Sequence, residues 1–70
     1  MRISARNQLA GTVESIHQDE IMAEVVVKLR GGEQIVSAIT AHSAKQLGLA
    51  PGKAVVVVVK STEVMLGTED

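Results

Sequence analysis

The chain has no cysteine and no Phe, Trp or Tyr in its 70 residues. Without cysteine there is neither a disulfide framework nor a thiolate metal site. Without aromatics the core must be assembled from Val, Ile, Leu, Ala and Met. It also removes the stacking platforms on which single-stranded nucleic acid is usually held. Charge of one sign is lacking too: seven Lys and Arg face eight Asp and Glu, for a formal net charge of −1. A general nucleic-acid binder carries a strong basic surplus instead. No apolar run approaches the roughly 18–20 residues a membrane span needs. The only histidines are His17 and His42, too few for a closed structural zinc site; both are expected on exposed positions. The opening residues do not show a charged-then-apolar leader, because Arg6, Asn7 and Gln8 interrupt it. The expected location is the cytoplasm.

What is present is an apolar, β-branched sequence, 46% hydrophobic, too apolar for a disordered tail. Its length predicts one small domain over residues 1–70, and such a domain buries little surface and usually needs help from partners. Residues 3–16 predict a strand with a bulge or bend at Gly11. His17 to Glu20 is a polar break. Ile21 to Arg30 alternates, with Ile21, Ala23, Val25, Val27 and Leu29 on one face. Gly31-Gly32 signals a tight turn, and Glu33 to Thr40 resumes as a strand. A short helix follows, with Thr40 as N-cap and Gly48 as C-terminal stop. Pro51-Gly52 turns the chain into Ala54–Val59, and Glu63–Leu66 predicts a last short strand. Five strands with a helix between the third and fourth match an OB-like five-stranded barrel, all-β apart from that helix.

The valine strand adds a prediction about assembly. Val55 to Val59 is apolar on both faces, yet one small barrel has a single interior. The second face needs cover from another subunit, since exposed it is an aggregation hazard flanked only by Lys53 and Lys60. A homo-oligomer is expected.

Two segments carry chemistry. Ser4-Ala5-Arg6-Asn7 and Lys60-Ser61-Thr62 offer a guanidinium, an ammonium, hydroxyls and an amide, with no carboxylate. Such donors suit a small oxyanion better than a metal cation. Ser4 and Arg6, two apart in the predicted strand, share a face. Thr40 and Ser43 open the short helix, where unpaired amides favour an anion. A donor-only set disfavours phosphate, which at neutral pH keeps a proton that wants an acceptor; a fully ionised tetrahedral dianion does not. No strand–Gly-x-Ser-x-Gly–helix context exists, and the acidic residues look like a solvated face, so no enzyme activity is expected.

The phrase Ile3-Ser4-Ala5-Arg6-Asn7-Gln8-Leu9 with Gly11, together with Gly31-Gly32, the Thr40–Ser43 spacing, Leu47-Gly48 and Val59-Lys60-Ser61-Thr62-x-Val64-Met65, closely resembles the molbindins. These are small bacterial molybdate-binding proteins whose domain also occurs in molybdate-responsive regulators and transporter ATPases. The resemblance implies an OB-like barrel and a hexamer, a trimer of dimers whose partners exchange sheet elements. It implies molybdate, with tungstate as a surrogate, held between subunits for storage and homeostasis. By that resemblance Ser4, Ala5, Arg6, Lys60 and Ser61 come from one chain, and Thr40 and Ser43 from its neighbour. Asn7 lies near a second class of site. The chain departs from the family at Ala10, His42 and the acidic stretch Thr68-Glu69-Asp70. A regulatory oxyanion-sensing module acting on a partner protein, and a nucleic-acid-binding OB module, are the alternatives.

Overall fold

A computed structural model describes residues 1–70. Four strands and a short helix form, in the order β1 (Asn7–Gln18), β2 (Met22–Leu29), β3 (Gln34–Thr40), α1 (Ala41–Gln46) and β4 (Ala54–Val59). They make one antiparallel sheet in the order β3-β2-β1-β4.

Alternation decides which face is inside. Ladder partners Val13 and Val27, Ile16 and Val25, Ala23 and Ile39 point to the same side, as side chains directly opposite across a ladder must. Val13, Val25 and Val27 are buried there, with Ile16, Leu29, Ile39, Leu49, Val55 and Val57 packed around them. β1 makes the curl. Its first half pairs with β4 through Asn7–Thr12, and its second with β2 through Gly11–Gln18. The register slips between Val13 and Ser15, so Glu14 is an extra residue and the strand bends there. The predicted irregularity at Gly11 is therefore corrected to Glu14.

Gly11 has a different reason. A β-carbon built on it would lie 2.7 Å from Val27 Cγ1 and 2.8 Å from the Lys28 carbonyl oxygen. No side chain fits without moving β2 away from β1. Gly11→Ala is expected to cost about 1–3 kcal/mol, lowering the melting temperature by roughly 5–20 °C for a domain of this size. Thermal melts followed by circular dichroism check this; an unchanged midpoint would mean the two strands separate freely.

The hairpins are fixed locally. Asp19 Oδ1 accepts the amides of Ile21 and Met22 at 2.8 and 2.9 Å. Those bonds, the Met22 one foremost and then that of Ile21, hold its carboxyl below the usual carboxylate range. Their stabilisation is present above the ordinary aspartate pKa and is lost as pH falls through the depressed one. α1 is N-capped by Thr40 and ends in a Schellman arrangement: Gly48, at φ 63°, donates to Lys45 O, and Leu49 donates to Ala44 O. Only glycine takes that backbone without strain. Lys53 Nζ covers the Leu47 carbonyl at 2.8 Å.

Four expectations are corrected. The first strand begins at Asn7, not residue 3, because Ser4 and Arg6 are bends; Gln8 Nε2 donates to the Ala5 carbonyl at 2.7 Å and holds the turn. Ile21 sits in the β1–β2 turn and is exposed, outside the face it was assigned to. The five-stranded barrel is a curled four-stranded sheet, open between β3 and β4. Ser61–Glu63 forms one turn of 3-10 helix instead of leading into a strand. Val64 that follows is extended, but Val64–Leu66 joins no ladder of its own chain. Met65 and Leu66 are 91% and 95% exposed.

The two-faced character of the valine strand is retained. Val55, Val57 and Val59 turn inward, while Val56 and Val58 remain 48% and 42% exposed. No helix is long and apolar enough to cross a membrane.

Candidate functional site

The register of β1 on β4 creates the site. Asn7 pairs with Val59, so the residues just before β1 and just after β4 meet at one corner of the sheet. Asn7 Nδ2 donates to the Val59 carbonyl at 3.1 Å and ties the two strand ends together. Next to that tie, Ser4, Ala5, Arg6, Lys60, Ser61 and Thr62 line a single pocket of about 240 Å³. The Glu63 amide donates to the Lys60 carbonyl at 2.9 Å, and this turn folds Ser61 and Thr62 back beside Lys60.

The pocket contains a guanidinium, an ammonium and three hydroxyls, and no carboxylate lines it. Apart from half-buried Ala5, its residues are exposed in the single chain. Positive charge and hydrogen-bond donors, with no competing anion, can hold a compact dianion by charge-assisted bonds. The same set has no carboxylate oxygen to balance the charge of a hard cation. No cluster of three or more metal-ligating His, Cys, Asp or Glu side chains exists anywhere in the chain.

Of the residues expected from sequence, Ser4, Ala5, Arg6, Lys60 and Ser61 come together. Asn7 does not line the pocket, because its side-chain amide is spent on Val59. Thr62, part of the donor-bearing triplet Lys60-Ser61-Thr62 although not one of the residues assigned by resemblance, lines it as well. A 3-10 turn brings Thr62 back, where an extended strand would have carried it away.

Thr40 and Ser43 lie elsewhere. β3 and β4 are opposite edges of the sheet. Thr40 pairs with Met22 and Gln18 with Ala23 at the end where β1 finishes, whereas Asn7 meets Val59 where it starts. β1 is 12 residues long, on the order of 35–40 Å if straight. One chain cannot bring the two groups together. Thr40 Oγ1 accepts the Ser43 amide at 3.0 Å and donates to Ser43 Oγ at 2.8 Å, so the pair caps α1. Thr40→Ala is expected to lose about 1 kcal/mol, a drop in melting midpoint of about 4–8 °C. Thr40→Ser should hold the wild-type value within about 2 °C in the same melts.

Comparison with known proteins gives a consistent set of likenesses. The TOBE domain profile matches residues 3–66. Molybdenum-pterin-binding protein 1 of Clostridium pasteurianum is 46% identical over 66 residues, covering 94% of this chain and 97% of that protein. A molybdate-binding protein from Sporomusa ovata superposes with a TM-score of 0.90 at 40% identity, over 97% of this chain and 100% of the other. The cytoplasmic molybdate-binding protein ModG, solved with molybdate bound, gives a TM-score of 0.83 at 43% identity, over 87% of this chain and 43% of its own.

Proposed function

Since the chain belongs to the molbindin group of the TOBE domain family, we propose that it binds molybdate between the subunits of a homo-oligomer. The observation that carries this reading is the carboxylate-free corner formed by Ser4, Arg6, Lys60, Ser61 and Thr62. Arg6 and Lys60 balance the two charges of a tetrahedral dianion, and the hydroxyls and amides saturate its oxygens. The missing acceptor disfavours phosphate. Tungstate, with the same shape and charge, is expected to bind as well, and sulfate to fit loosely because it is smaller.

Openness of the corner is the reason to require a second copy. A dianion held this close to water loses much of its electrostatic gain to solvent. Thr40 and Ser43, out of reach in the same chain, become available from a neighbour. The single chain has only five buried residues, a small core for its length, and leaves Val56, Val58 and Val64–Leu66 uncovered. In this reading Val64–Leu66 is the exchanged element: laid along a partner's free sheet edge, it becomes the fifth strand. The assembly is a hexamer, a trimer of dimers, and its role is storage and buffering of molybdenum in the cytoplasm without catalysis.

Native mass spectrometry of the purified protein, with molybdate, tungstate, sulfate and phosphate in turn, tests the proposal. A hexamer that gains discrete mass steps with the first two ions alone is the expected result. A monomer retaining none of the four would overturn it.

A further inference from the structure

The walls of the oxyanion corner carry main-chain acceptors as well as donors. The hydroxyls of Ser4, Ser61 and Thr62 can turn their hydrogens toward a bound anion, whereas a carbonyl can only accept. A free carbonyl beside the pocket would repel a fully ionised dianion and would accept the hydrogen that phosphate keeps. The polarity of the corner therefore depends on what its carbonyls already hold.

Three of them are occupied within the chain. The Ala5 carbonyl, in the middle of the Ser4–Arg6 wall, accepts from Gln8 Nε2 at 2.7 Å. The Val59 carbonyl, one residue before the Lys60–Thr62 wall, accepts from Asn7 Nδ2 at 3.1 Å. The Lys60 carbonyl accepts from the Glu63 amide at 2.9 Å. That last bond belongs to the 3-10 turn and needs no particular side chain. The other two come from consecutive side chains at the start of β1. Consecutive residues of a strand point to opposite faces, so Asn7 reaches across to β4 while Gln8 reaches back over the bend. Neither residue lines the pocket.

We propose that Asn7 and Gln8 are positioning residues that set the selectivity of the corner: they occupy the Val59 and Ala5 carbonyls and so keep its main chain from presenting an acceptor to the ion. The inference rests on the oxyanion reading of this corner. It goes beyond holding two strands together. A merely loosened corner binds every anion less well by the same factor, whereas a released carbonyl changes the order of preference. Sulfate and phosphate make the comparison, being close in size and shape and differing in the hydrogen that phosphate carries.

Gln8→Met and Asn7→Leu keep the approximate side-chain size and remove the donor. Molybdate is titrated calorimetrically into the assembled full-length protein, then displaced with sulfate and with phosphate. Each variant should bind molybdate about tenfold more weakly, the usual loss for one hydrogen bond and the acceptor it leaves free. The concentration of phosphate needed for displacement, relative to sulfate, should fall by about the same factor. Native mass spectrometry follows assembly in parallel. Gln8 lies across the ladder from Val58, on a face assigned to subunit contact; if Gln8→Met assembles poorly, Asn7→Leu, on the other face of β1, carries the test. Unchanged molybdate affinity in both variants would overturn the proposal. So would a loss shared equally by molybdate, sulfate and phosphate, which marks loosening alone. A wild type that binds none of the ions defeats the oxyanion reading itself; wild-type binding with an unmoved sulfate-to-phosphate preference in the variants defeats only this inference.

Discussion

Arg6→Ala is expected to all but abolish molybdate binding while leaving the fold intact. Arg6 lies in the bend before β1 and is exposed in the single chain, so its removal disturbs no core contact. In the assembled site its loss leaves one charge of a desolvated dianion unmatched. Truncating one partner of such a pair costs about 2–5 kcal/mol, or roughly 30- to 5,000-fold in Kd. The effect is read by isothermal titration and, independently, by melting temperature. In the wild type, molybdate at 100 times its Kd should add about 2.7 kcal/mol of stability by mass action; in the variant that gain should fall to about 0.9 kcal/mol or less at the same concentration. Arg6→Lys keeps the charge but not the planar fork, and should fall between the two. Wild-type affinity in Arg6→Ala would place the ion somewhere other than this corner.

The second large effect is on assembly. Val58→Glu introduces a charge on the outer face of β4, at a position 42% exposed in the single chain. As a monomer the protein would tolerate it, and the substitution would even protect an apolar edge strand. If that face is covered by another subunit, an unpaired carboxylate is buried, at a cost of about 3–5 kcal/mol. The expected outcome is a smaller species by size exclusion and analytical ultracentrifugation, with molybdate binding lost along with it. Val58→Thr, similar in shape and uncharged, should retain most of the assembly. An intact oligomer in Val58→Glu would show that the covered face is a different one.

Much of this architecture is written in the local pattern. Ala23, Val25 and Val27 alternate and are buried; Thr40 and Gly48 bracket α1 with cap chemistry that needs no tertiary information. What the pattern could not supply depends on contacts distant in sequence. Gly11 looked like a bulge, but its smallness answers the approach of β2, seventeen residues away along the chain at Lys28. The real bulge at Glu14 has no glycine to mark it. Val64-Met65-Leu66 has the composition of a strand, yet composition cannot say whether a free edge lies within reach, and in the single chain none is used. The donor-rich corner was legible in part because charge and hydroxyl content survive any error in strand limits. The exact places of Thr62 and Asn7 were not legible because each depends on one turn or one hydrogen bond: the 3-10 turn that brings Thr62 back beside Lys60, and the bond to Val59 that occupies Asn7.

The separation of the two donor groups to opposite corners of the sheet has a genetic consequence. If each site is made from the Arg6 corner of one chain and the Thr40–Ser43 corner of another, no chain owns a site. A chain carrying Arg6→Ala still contributes a sound Thr40–Ser43 corner, and a chain carrying Thr40→Ala with Ser43→Ala still contributes a sound Arg6 corner. Each variant alone is defective at every site. Co-expressed, they form mixed pairs in which one site unites the two sound corners and the other unites the two damaged ones. Random pairing makes half of all dimers mixed, with one of two sites whole, so about a quarter of wild-type capacity should return from two chains that bind poorly apart. Such complementation between defective alleles is impossible for a site contained in one polypeptide.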